Sequence, residues 1–68
     1  MNKKLLRVEL AKKEMTQKEL ANHLNITEST LNRKINGKSS FSLDEVKSIM
    51  RLFDLPINEE NIANFFNQ

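Results

Sequence analysis

Apolar residues return along this chain at intervals of three and four, the repeat of one helical face, and sustained alternation with polar residues is missing. Leu6 and Leu10 stand one turn apart with Leu5 and Val8 beside them, predicting a first helix over about residues 3–13. Leu20, Ala21 and Leu24 form the stripe of a second helix, and Leu31 and Ile35 that of a third. Leu43, Val46, Ile49, Met50 and Phe53 share one face of a fourth. Ile62, Phe65 and Phe66 give the apolar side of a last helix starting near Asn58.

The boundaries of these stripes carry their own signals. Thr16-Gln17-Lys18-Glu19 and Ser42-Leu43-Asp44-Glu45 are capping boxes, in which hydroxyl and carboxylate each satisfy a free backbone N–H. Thr27 is a good opening cap, and Asn36-Gly37 a good close. Asn25, between the second and third stripes, enters the left-handed conformation cheaply. Pro56 ends the fourth region, and Glu59 and Glu60 suit the dipole at the start of the fifth. The expectation is a compact all-α domain of five helices spanning residues 1–68. At least three-quarters of residues 3–66 should be helical, without strands, joined by connections of two to five residues. Its core should hold Leu6, Leu10, Met15, Leu20, Ala21, Leu24, Ile26, Leu31, Ile35, Leu43, Val46, Ile49, Met50, Phe53 and Ile62. At least one of Phe65 and Phe66 should pack inside, leaving the other for the surface or a dimer seam.

Composition narrows the function. One glycine, one proline and no tyrosine or tryptophan favour helices over a turn-rich β fold. The chain has no cysteine, and a lone His23 cannot hold a metal, so neither disulfide nor metal nor cofactor is expected. No apolar stretch approaches the ~20 residues of a membrane span, and the expected location is the cytoplasm. The net charge of +2 conceals an asymmetry. Nine basic residues precede residue 39 against four acidic ones; beyond it, Lys47 and Arg51 face Asp44, Glu45, Asp54, Glu59 and Glu60. Such a field suits a polyanion on one side only. No cluster of nucleophile, base and acid is present, so no enzymatic activity is expected.

The informative segment is Gln17–Asn36. Two short helices meeting at a sharp turn need a small residue at their contact, one tolerant of positive φ, and apolar residues around the corner. Ala21, Asn25, and Leu20, Leu24, Ile26 and Leu31 answer these needs. They define a helix-turn-helix, whose second helix can enter a major groove. The run MTQKELANHLNITESTLNRKINGK resembles the helix-turn-helix domains of phage repressor and Cro proteins, the Xre-like regulators, and the likeness continues through SLDEVKSIMRLFDL. Three departures stand out. Asn25 replaces the usual turn glycine. Lys34 occupies a position that is apolar in many members, so its stem should snorkel. Leu10 and Ile35 stand where some members pair a basic with an acidic residue, which reads as a repacked core.

The resemblance implies a sequence-specific, double-stranded DNA-binding regulator of transcription, a repressor of phage or mobile-element type. It would bind a palindromic operator as a weak homodimer formed on DNA. The residues implied to read bases are Glu28, Ser29, Asn32 and Arg33; those implied to hold phosphates are Gln17, Thr27, Asn36, Lys38, Ser39 and Ser40. The Arg33 fork matches the two acceptors of guanine. Glu28 admits two readings, an acceptor for cytosine N4 or a carboxylate that merely suits a first helical turn. Two other functions stay open: an interaction module or anti-repressor that keeps the fold without DNA, and the DNA-binding antitoxin of a toxin pair.

Overall fold

Each of the five helices opens on a side-chain cap. The computed structural model describes residues 1–66, in which helices α1 (Lys3–Lys12), α2 (Gln17–His23), α3 (Glu28–Ile35), α4 (Leu43–Leu52) and α5 (Glu59–Phe66) follow one another. Asn2 accepts from the Leu5 amide at 3.1 Å and opens α1. Thr16 and Ser42 open α2 and α4 with the complete capping boxes expected of them. Thr27 accepts from the Thr30 amide to open α3, and Asn58 from the Asn61 amide to open α5. Among the described residues there is no strand, and no helix is long and apolar enough to cross a membrane.

The first four helices all stop in the same way. In each, one residue past the cap turns left-handed, and the next two amides reach back to free carbonyls in a Schellman motif. The left-handed residues are Glu14, Asn25, Gly37 and Asp54, with φ of 53°, 58°, 79° and 56°. Met15, Ile26, Lys38 and Leu55 follow them, and their amides bond back to the carbonyls of Leu10, Ala21, Arg33 and Met50. Met15, Ile26 and Leu55 are apolar and pack against the core, which holds these corners shut. Asn25 and Gly37 were legible as stops and Glu14 was not, because its side chain has no preference that announces this geometry; aspartate tolerates it, so Asp54 carried only a weak signal. Glu14→Gly should therefore stabilise the domain by about 1 kcal/mol, relieving a left-handed L-residue at a partly offsetting entropy cost. Urea unfolding checks this, and a lower midpoint for the variant would contradict it.

The helices share one core. Leu6, Leu20, Leu31, Ile49 and Met50 are fully buried, and Leu10, Ala21, Ile35, Val46, Phe53 and Phe65 nearly so. Met15, Leu24, Ile26 and Ile62 are half-buried against it. Leu10 and Ile35 both lie inside, in keeping with the repacked core. A backbone bond from the Asn2 amide to the Phe65 carbonyl, 2.6 Å, ties the start of α1 to the last helix.

Three expectations need correction. Leu43 is 64% exposed, because it is the first residue of α4 and projects beyond the layer that the later turns cover. Of the two phenylalanines, Phe65 is the one that packs inside, as expected of at least one, and it meets Phe53 at a ring separation of 6.0 Å. Helix spans 43 residues between 3 and 66, about two-thirds, since every Schellman stop removes residues from the helical count. The connections Asn36–Ser42 and Phe53–Asn58 exceed five residues, leaving room for the Phe41 ring to fold in against Phe66 at 5.3 Å, edge to face.

Candidate nucleic-acid interface

The corner between α2 and α3 is built as the sequence required. Ala21 is buried where the helices touch, and Leu20 and Leu31 bracket it without exposure. Asn25 takes the left-handed turn, and the Ile26 amide closes the corner on the Ala21 carbonyl at 3.0 Å. With Leu31 and Ile35 facing the core, the opposite side of α3 is committed to solvent. Glu28, Ser29, Asn32, Arg33 and Asn36 are all exposed along it.

The fate of each candidate follows from its place. Arg33 has no acidic partner within 4 Å among the described residues, so its guanidinium is not engaged by an ion pair. Glu28 opens α3 beside the Thr27 cap. Asn36 donates from Nδ2 to the Asn32 carbonyl at 2.9 Å and lies near Asn32 Oδ1 at 3.3 Å, which couples the two amides into one unit. Gln17 is half-buried at the first position of α2. The Thr27 hydroxyl donates to Thr30 Oγ1 at 2.9 Å while capping the helix, so a phosphate contact would require it to swing away. Lys38 and Ser40 are exposed and Ser39 half-buried on the connection after α3.

Two features of this region escaped the sequence reading. Lys34 does more than snorkel: its Nζ meets Glu45 Oε1 at 2.5 Å and stands 5.9 Å from the centre of the Phe41 ring. The same Glu45 oxygen accepts from the Ser42 amide at 2.8 Å. A single carboxylate thus caps α4 and holds the last turn of the outward-facing helix. Burial pushes the Glu45 carboxyl up, but the bonds from Lys34 and from Ser42 outweigh it and hold the group below its ordinary value of 4.5. The ionised form then favours folding; that contribution is complete above pH 4.5 and is lost as the pH falls through the depressed value. Glu45→Gln should lower the urea midpoint at neutral pH, with the gap to the unaltered chain closing on acidification below 4.5. A gap that stays constant with pH would contradict the ion-pair assignment.

The second feature is a groove of about 200 Å³ where α1, α2 and α3 meet. Its floor is Leu6 and Ile35, and around it stand Lys3, Arg7, Gln17, Asn32 and Asn36. The signal for it was the four-residue spacing of Lys3 and Arg7, which places both on one face of the first helix. Which face of the third helix they would meet could not be read from that spacing.

Residues 5–59 match the family model of the Cro/C1-type HTH DNA-binding domain. No curated protein and no solved structure matches the chain. The matched segment runs from the third residue of α1 through α4, with the whole α2–α3 corner, and the structure is all-α, consistent with this family. The chain belongs to the Cro/C1-type helix-turn-helix DNA-binding domains.

Proposed function

We propose that the protein is a sequence-specific regulator of transcription, a repressor of phage or mobile-element type, that lays α3 in the major groove of a palindromic operator. The observation that carries this is the exposed, wholly polar face of α3 set by a buried, sharply closed corner with α2. Phosphate contacts fix such a helix in register, and its outward side chains then read base edges. Asn32 and Arg33 are the groups suited to direct readout, with Ser29 adaptable and Glu28 limited to donors such as cytosine N4. The resemblance assigns the phosphates to Gln17, Asn36, Lys38, Ser39 and Ser40, and to Thr27 once its hydroxyl turns away from Thr30. The reading involves one domain over residues 1–68, no cofactor and no enzymatic step, acting in the cytoplasm by occupying DNA.

One short helix reads too few base pairs for useful specificity, so two copies on symmetric half-sites are required. With Phe65 buried and Phe66 packed edge to face with Phe41, little aromatic surface is left for a permanent seam. The expected state is a monomer at micromolar concentration that pairs on DNA. Selection of bound duplexes from a random pool tests the reading. A two-fold symmetric motif with half-sites about one helical turn apart is expected. A pool that shows no enriched motif would overturn it, and would favour a protein-interaction module that keeps the fold without reading DNA.

A further inference from the structure

We propose that Lys3 and Arg7 of α1 add a further grip on the DNA backbone, and that the occupant of the groove they share with α2 and α3 is a phosphodiester strand. The inference rests on the reading of α3 as the helix that meets DNA, and it adds a helix outside the helix-turn-helix to the interface. Three observations support it. The groove is continuous with the outward face of α3, since Asn32 and Asn36 belong to both. Every polar side chain lining it (Lys3, Arg7, Gln17, Asn32 and Asn36) carries N–H donors, and no acidic side chain lines it. Neither Lys3 nor Arg7 joins any ion pair among the described residues, whereas Lys12, Lys13 and Lys34 each have a carboxylate partner.

Spacing and charge then select the ligand. Lys3 and Arg7 are four residues apart, about 6 Å along the helix axis, so both can follow one chain of charges running past α1. An apolar floor with a rim of cationic and amide donors suits repeated anionic oxygens, which a nucleic-acid backbone presents at every nucleotide. A strand seated there would run beside the major groove that α3 occupies. The grip would be indifferent to sequence, adding affinity while leaving preference to α3.

The test is the salt dependence of binding. The unaltered chain, Lys3→Gln/Arg7→Gln and a charge-matched control, Lys47→Gln/Arg51→Gln, are each titrated onto a selected duplex and a mixed-sequence duplex. Neutralising two phosphate contacts should make the slope of log K against log salt shallower by about 1.8, with each single variant shifting it by about 0.9. Both duplexes should weaken by the same factor, the control should keep the original slope, and circular dichroism should show the fold retained. An unchanged slope in the double variant, with the unaltered chain binding normally, overturns the grip and leaves the role of α3 intact. An equal loss in the control assigns the effect to net charge, and a loss confined to the selected duplex assigns the pair to base reading; either overturns the proposal. If the unaltered chain binds neither duplex, the DNA-binding reading falls and the grip with it.

Discussion

Leu31→Ala should leave the chain largely unfolded at 37 °C and unable to bind DNA, although Leu31 itself faces away from the proposed interface. Leu31 is fully buried behind the exposed face of α3. Removing its branched end forfeits the transfer energy of the lost atoms and leaves a cavity in a close-packed core, about 2–5 kcal/mol in all. A chain of this size draws only about 3–5 kcal/mol from a single core, so the loss is of the order of the whole. Leu31→Met conserves volume and should cost less than about 1.5 kcal/mol. Thermal melts followed by circular dichroism distinguish the two variants. Saturating duplex should raise the melting temperature of any variant that still folds, since binding to the folded state alone stabilises it. A Leu31→Ala chain that melts close to the unaltered one would show that α3 is not anchored through its inner face.

The elements most legible in the sequence are those decided locally. Thr16 with Glu19, and Ser42 with Glu45, satisfy backbone groups three residues away, so the pattern suffices to place the starts of α2 and α4. Asn25 and Gly37 announced left-handed stops through intrinsic conformational freedom. Glu14 adopts the same backbone because Met15 is drawn into the core, a tertiary demand that overrides local preference; Leu55 is drawn in likewise after Asp54, whose short side chain tolerates the turn. Leu43 shows the opposite failure. It shares the periodic stripe of α4, but nothing packs over Leu43 itself on the first turn of that helix, and periodicity says nothing about where a neighbour ends.

The site divides along the same line. The outward face of α3 followed from the helical repeat once Leu31 and Ile35 were assigned inward, and all five predicted residues are exposed there. The pairing of Lys34 with Glu45 spans eleven positions and depends on how α4 returns across the end of α3. The groove beneath Lys3 and Arg7 depends on three helices at once. The resemblance to repressor and Cro domains supplied the candidate roles of Gln17, Thr27, Lys38, Ser39 and Ser40, which no spacing rule would have produced.

The second large effect concerns Arg33, and it separates base reading from simple attraction to DNA. Arg33 stands on the exposed face of α3 with no acidic partner among the described residues. A guanidinium fork on the two acceptors of guanine contributes discrimination as well as affinity, so Arg33→Ala should cost about 1–3 kcal/mol on the operator and relax preference at one base position. Lys38 lies past the end of the helix on an exposed connection. As a phosphate contact, Lys38→Ala should weaken all duplexes alike and reduce the salt slope by about one. Both side chains are exposed, so neither change should unfold the domain.

The central claim, that α3 reads sequence, is tested most directly by titrating Arg33→Ala onto the selected operator and an unrelated duplex at one salt concentration. The account predicts a loss on the operator of about 1–3 kcal/mol and a much smaller loss on the unrelated duplex, so that the ratio of the two affinities falls. An equal loss on both would make Arg33 a phosphate contact and contradict the assignment of α3 as the reading helix.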